Sequence, residues 1–312
     1  MKIIKKLLPI LLLSLFIYSC DDDNDDTIMP VTNTIVDVAV NNNLSSLVAA
    51  VTRADLAGTL SSPGPFTVFA PTNEAFQGLL DSNADWNSVN DIPVETLRSV
   101  LLFHVLSGEV KSTDLADIYV NTSSTGPNDE ALSLQVEVTG AIEFNGDAKP
   151  VIVDVEASNG VVHVIDKVML PPNVVTVALN NAGFTSLVAA LTDNRHTTNF
   201  VDVLNGEGPY TVFAPTNDAF QALLDSNANW NSLGDIPIAT LEAVLLYHVV
   251  GANVQSDELE NGDVSTLSGT ITIDLTNGAQ IKTSSSQTIN IILTDVQGTN
   301  GVVHAIDTVL LP

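Results

Sequence analysis

The chain has 312 residues, of which 45% are hydrophobic and only 5% aromatic, and it carries 37 Asp and Glu against 10 Lys and Arg, a formal net charge of −27. A surface this acidic repels nucleic acid and anionic lipid, which excludes functions built on basic patches. A single cysteine excludes internal disulfides and cysteine metal clusters, and the length leaves room for two domains with cores made mainly of Val, Leu, Ile and Ala.

The first element is a targeting segment. Lys2, Lys5 and Lys6 precede an apolar run from Leu7 to Tyr18, too short for a membrane-spanning helix and suited to a signal peptide over residues 1–19. The run ends in Ile17-Tyr18-Ser19-Cys20, which resembles a bacterial lipobox. Cys20 is therefore the candidate lipidation site, with acyl chains supplying the membrane attachment that the charge opposes. The block Asp21-Asp22-Asp23-Asn24-Asp25-Asp26 opens a solvated, disordered tether over residues 20–33. An acidic run in this place resembles the surface-export tag of Bacteroidetes-type lipoproteins. It is no EF-hand loop, because Gly at the sixth position and Glu at the twelfth are missing.

Helical signals come next. Leu44, Leu47, Val48 and Val51 fall on one helical face. Thr67-Val68-Phe69-Ala70 reads as a short buried strand stopped by Pro71, after which Thr72 or Asn73 caps a helix carrying Ala75, Phe76, Leu79 and Leu80. Pro93 opens another helix, whose inward stripe is Leu97, Val100, Leu101 and His104. The period then changes. Leu132 to Val138 alternates as a half-buried strand does, Asn145-Gly146 and Asn159-Gly160 signal hairpins, and Val151–Val155 and Val161–Ile165 read as strands.

The same order then repeats. Phe66–Val110 and Tyr210–Val254, aligned at an offset of 144, differ at 15 of 45 positions. A period of this size matches a whole domain rather than a solenoid unit. Two domains follow, over 34–171 and 172–312, joined by a stiff Pro171-Pro172-Asn173 segment. Helices precede clustered strands in each, so the class is α+β with a largely antiparallel sheet.

Three ordered motifs in each copy carry a resemblance. Thr67-Val68-Phe69-Ala70-Pro71-Thr72-Asn73-Glu74-Ala75-Phe76, the Phe103-His104 pair and Asn159-Gly160-Val161-Val162-His163-Val164-Ile165-Asp166 recur as Thr211–Phe220, Tyr247-His248 and Asn300–Asp307. Together they resemble fasciclin-like (FAS1) domains. The resemblance implies two consecutive FAS1-like domains, each a mainly antiparallel β-sandwich wedge flanked by helices, in a secreted or surface-anchored adhesion protein.

The candidate binding residues carry two readings each. His104 and His248 end apolar helical faces and are either ligand contacts or buried, satisfied side chains; a buried polar group left unpaired costs roughly 1–3 kcal/mol, which favours the second. The resemblance ties this Tyr-His element to both fold integrity and cell adhesion, with Tyr247 supplying a hydroxyl that Phe103 lacks. Asp154-Val155 and Asp295-Val296 match the Asp-Ile adhesion element of animal FAS1 domains, or are simply strand residues. His163 and His304 read as core or sheet-edge histidines and His196 as an exposed loop residue. Asp81, Asn83 and Asp85, and Asp225, Asn227 and Asn229, have the spacing that opens a calcium loop. Trp86 and Trp230 stand where Gly is required, so a polar loop pinned by tryptophan is expected instead.

No G-x-S-x-G, H-E-x-x-H, P-loop or dinucleotide fingerprint occurs in the chain. The expectation is a non-enzymatic, cofactor-free outer-membrane lipoprotein, displayed at the cell surface, that binds an extracellular protein or polysaccharide. The alternative is a periplasm-facing or outer-membrane accessory lipoprotein with a structural or glycan-capture role.

Overall fold

The computed structural model describes residues 32–312, so the signal and lipidation expectations, and the tether up to residue 31, lie outside the described residues. The first domain runs α1 (Ile35–Asn41), α2 (Ser45–Arg53), α3 (Ala57–Leu60), β1 (Phe66–Pro71), α4 (Asn73–Asp81), α5 (Val94–Phe103), β2 (Val105–Ser107), β3 (Ile118–Thr125), β4 (Ala131–Glu137), β5 (Glu143–Phe144), β6 (Pro150–Ala157) and β7 (Gly160–Ile165). The second repeats it as α6 (Val174–Asn180), α7 (Thr185–Leu191), α8 (Phe200–Leu204), β8 (Tyr210–Pro215), α9 (Asn217–Asp225), α10 (Ile238–Tyr247), β9 (Val249–Val250), β10 (Gly262–Thr266), β11 (Gly269–Asp274), β12 (Gln280–Lys282), β13 (Thr288–Gly298) and β14 (Gly301–Ile306).

Local chemistry explains the helix starts. The Thr72 hydroxyl caps α4 by accepting the Ala75 N–H at 3.1 Å. Asn73, the other candidate cap, instead accepts the Ser46 N–H at 2.9 Å and donates to the Asn43 carbonyl, tying α4 to α2. Thr34 and Asp37 form a capping box on α1, a helix that the sequence periodicity did not predict.

Antiparallel pairs dominate, but the centre of each domain is a parallel pair, β1 with β7 and β8 with β14. The first domain divides its strands between two sheets, in the orders β2-β1-β7-β6 and β3-β4-β5. In the second, the 11-residue β13 pairs with β12 at one end and β14 at the other, joining the equivalent strands into one sheet of order β10-β11-β12-β13-β14-β8-β9. The helices cover one side of the β1–β7 pair with a core that includes Leu47, Phe76 and Leu101, and Phe69, Phe103, Leu134 and Phe144 form a second core on the other.

The Asn-Gly motif closes each domain. Gly160 has φ +150, and a Cβ there would lie 1.9 Å from the Phe66 carbonyl oxygen, so the close approach of β7 to β1 requires glycine. Gly301 repeats this against Tyr210, at 2.2 Å. Asn159 is buried, and its Oδ1 accepts the Ile35 N–H at 2.9 Å. Its Nδ2 donates to the carbonyls of Leu60 (2.8 Å) and Ser62 (2.9 Å). One side chain thus fastens the start of α1 and the end of α3 to the β6–β7 turn. Asn300 makes the same three bonds, to Val174, Leu204 and Gly206.

β4 departs from expectation. Its alternation predicts one wet face, yet Leu132 through Val136 are all buried. Leu132, Leu134 and Val136 face their own core, whereas Ser133 meets β13 of the second domain. The Ser133 hydroxyl donates to the Asp295 carbonyl at 3.3 Å and accepts the Gln297 N–H at 2.9 Å. Asn181 donates to the Tyr119 hydroxyl at 2.9 Å, and Asn128 to the Asn253 carbonyl at 3.3 Å. The Gln297 amide group in turn bonds Gln255 and Asn253, so the junction is polar and buried. Ser133→Ala is expected to leave the Gln297 N–H unpaired at a cost of about 1–3 kcal/mol, and so to speed amide exchange at Gln297 about 5- to 150-fold. Residue-resolved hydrogen exchange checks this; an unchanged rate would mean that the contact does not hold the junction.

Candidate functional site

The polar motif residues gather in two small constellations, each built once per domain. In the first, His104 caps the C-terminus of α5. Its Nδ1 donates to the Val100 carbonyl at 2.7 Å and its Nε2 accepts the Met169 N–H at 3.0 Å. His248 does the same with Val244 (2.6 Å) and Leu310 (3.0 Å). Both rings are buried, and burial pushes each pKa down to about 4, so they are neutral at physiological pH. Each fastens a helix end to the last segment of its domain. Tyr247 is 1% exposed and its hydroxyl donates to the Thr270 carbonyl at 2.6 Å, a link from α10 to β11 that the buried Phe103 does not make. The positions of His104, His248 and Tyr247 correct the idea that these side chains meet a ligand directly: every polar atom is turned inward and paired.

The second constellation lies on β6 and β13. Asp154 (φ 58) and Asp295 (φ 62) sit in bulges, where the strand register slips between Ile152 and Val155 and between Leu293 and Val296. The bulge aims the Asp154 carboxylate at Ser112, whose N–H donates at 2.7 Å and whose hydroxyl donates to the second oxygen. These bonds, the serine hydroxyl foremost, hold the Asp154 carboxyl below the usual carboxylate range. Ser256 binds Asp295 in the same way. Behind each aspartate is a fully buried histidine. The Asp154 N–H donates to His163 Nδ1 at 3.3 Å, and His163 Nε2 donates to the Val110 carbonyl at 2.9 Å; His304 repeats this with Asp295 and Val254.

Serine, aspartate and histidine meet here in an order that does not activate a nucleophile. The serine is bonded to the aspartate, and the imidazole Nε2 is spent on a backbone carbonyl. Of the two Asp-Val pairs, the aspartates remain partly accessible, Val155 is half-buried and Val296 packs inside. Beside Asp154, Val151, Ile152 and Val153 are exposed along the outer strand of the sheet, a run that the strand pattern alone did not mark as surface.

The remaining candidates serve the fold. Asn83 Oδ1 accepts the Asp85 N–H at 3.0 Å and Gln77 donates to Asp81 at 2.7 Å, so the acidic spacing closes the end of α4; Asn227, Asn229, Gln221 and Asp225 repeat it. Trp86 and Trp230 pack against their domain cores, as the pinned loop requires. His196, expected at the surface, is instead covered. Its side chain is 4% exposed, bonded to the Ala190 carbonyl at 2.7 Å, and meets the edge of Phe200 with ring centroids 4.8 Å apart.

Two copies of one α+β core, each closed by an Asn-Gly staple and a helix-capping histidine, define a tandem domain pair. The Fasciclin domain profile matches residues 42–171 and 182–312, and the chain belongs to the fasciclin (FAS1) family. Protein sll1483 of Synechocystis is 43% identical over 140 residues, 45% of this chain and 74% of its own length. Transforming growth factor-beta-induced protein ig-h3 of Sus scrofa is 31% identical over 256 residues, 81% of this chain but 35% of its own length. The FAS1 domain pair of the insect cell adhesion molecule Fasciclin I shares the fold, with a TM-score of 0.51 at 20% identity, covering 88% of this chain and 98% of that one. FAS1 domains thus occur in a cell adhesion molecule, and the relatives also include human periostin, 30% identical over 258 residues, 81% of this chain and 29% of its own length.

Proposed function

We propose that the chain works outside the cell as an adhesion or matrix-interaction protein, binding extracellular proteins or glycans through its tandem FAS1 modules. Anchorage at the outer membrane through acyl chains on Cys20, with display at the cell surface, completes the reading. The observation that carries it is the docked domain pair. Both modules and the buried junction between them are kept in one chain, and the similarity to ig-h3 runs across both. Two similar modules held together would engage a repetitive ligand bivalently, raising avidity through effective concentration. The partly accessible aspartates and the apolar run beside Asp154 are surface features available to such a partner.

The test has two arms. Protease treatment of intact cells is expected to remove both domains while periplasmic markers survive, and mass spectrometry is expected to find fatty acid on Cys20. Immobilised chain is expected to retain matrix proteins or polysaccharides from a binding array. Domains that survive shaving would favour the periplasm-facing accessory role, and an array without a single retained ligand would overturn the adhesion reading.

A further inference from the structure

Where the first domain meets the second, β3 and β4 form one wall and β13 the other of a groove of about 540 Å³. That volume lies within the range of about 300–1,000 Å³ usual for small-molecule sites. Three features of its lining decide what fits.

The first is an open acceptor. Gln135 is 6% exposed and lines the groove; its Nε2 donates to Glu137 at 2.7 Å, but its Oε1 has no partner. Buried polar atoms are almost always paired, so this oxygen marks a place where a donor belongs. The second is a mixture of hydrogen-bonding senses. The Tyr119 hydroxyl accepts from Asn181, and among the described residues its own proton meets no acceptor. The Thr294 hydroxyl likewise has no partner among the described residues, and Glu137 adds a carboxylate. The third is charge and shape. The lining contains Asp117, Glu137 and Asp295 and no Lys, Arg or His, while Ile118 and Leu293 add exposed apolar surface. Asp117 is already occupied by the Val138 and Thr139 N–H groups and the Thr139 hydroxyl, so it contributes charge more than a free acceptor.

We propose that this interdomain groove is a binding site for a neutral saccharide. A sugar hydroxyl donates and accepts at once, so one ligand can satisfy Gln135 Oε1 and Glu137 as acceptors and the Tyr119 proton as a donor. The C–H faces of the ring match Ile118 and Leu293. Sulfated and uronic-acid sugars are repelled by the three carboxylates. A basic peptide would also pair with the carboxylates, and it is the competing occupant that the experiment tests. The site exists only where the two domains meet, so it belongs to the tandem rather than to either module.

This rests on the extracellular-binding reading and names the ligand for it. Isothermal titration of the intact two-domain chain with neutral gluco-, xylo- and manno-oligosaccharides is expected to show saturable binding by at least one. Gln135→Leu and Thr294→Val are each expected to weaken it about tenfold with the melting temperature retained, and sulfated or uronic oligosaccharides are expected not to bind. The proposal is overturned if none of the neutral sugars binds at millimolar concentration, if both variants bind as tightly as the parent, or if a lysine-rich peptide occupies the groove in their place. Array binding that persists in both variants, with no sugar bound, would remove the groove and leave the adhesion reading standing. Loss of array binding altogether would remove the reading itself.

Discussion

Asn159→Ala is expected to take about 2–6 kcal/mol from the stability of the first domain. The side chain makes three hydrogen bonds, to the Ile35 N–H and the Leu60 carbonyl in buried surroundings and to the half-buried Ser62 carbonyl, and truncation leaves the first two backbone groups unpaired where water does not reach. Each such group costs about 1–3 kcal/mol, and the two together reach the lower end of the 5–15 kcal/mol that holds a typical domain together. Asn159→Asp should be no better, because it keeps the acceptor for Ile35 but points a second oxygen at two carbonyls. The exposed Asn90→Ala serves as the control and should move stability by less than about 0.5 kcal/mol. Urea unfolding followed at Trp86, in the first domain, reads the difference. An Asn159→Ala chain within about 1 kcal/mol of that control would refute the staple. Asn300→Ala should weaken the second domain in the same way through Val174, Leu204 and Gly206.

The second large effect is acid sensitivity. His104 and His248 have an ordinary pKa of 6.5 when unfolded and about 4 in the fold, because burial opposes the charged ring. Between those values the unfolded chain binds more protons than the native one. Stability is therefore full above pH 6.5 and falls as the pH drops toward 4, by on the order of 3 kcal/mol for each ring. His304 is shifted the same way by the same cause and adds to the trend. Protonation of the many carboxylates relieves their mutual repulsion over the lower part of this range and works against the loss. The measurement is therefore a difference. Melting temperatures from pH 7 to 4.5 should fall more steeply for the parent than for a His104→Gln, His248→Gln chain, in which glutamine offers a donor and an acceptor but no titrating ring. Parallel slopes would show that the two rings do not stay neutral inside the fold.

What was legible in the sequence follows from the range of the interactions concerned. The caps, the helix stripes and the late β-rich half are local and were readable, and the repeat made each signal count twice. The turn at Asn159-Gly160 was readable as a hairpin, but the staple was not, since its partners lie 97 to 124 residues away in sequence. The polar side of β4 was read as wet because alternation cannot tell water from a neighbouring domain; only the contact of Ser133 with β13 distinguishes them. The helix-end histidines carry both a core and a ligand reading in the sequence, and only the burial of their rings separates the two; His196 reads as exposed because its cover comes from Phe200 and the Ala190 carbonyl rather than from its own loop. The β6 bulge that turns Asp154 toward Ser112 left no mark in the residue pattern, because aspartate tolerates a positive φ without announcing one.

The join between the domains has a further consequence. It brings β4 of one module against β13 of the next, two unlike surfaces rather than a patch meeting its own copy. Contacts of that kind are directional, and each leaves an unlike surface unused on either partner. Each module therefore has a leading and a trailing side, and the pair keeps one unused surface of each kind, the exposed β6 side of the first domain and the β11 side of the second.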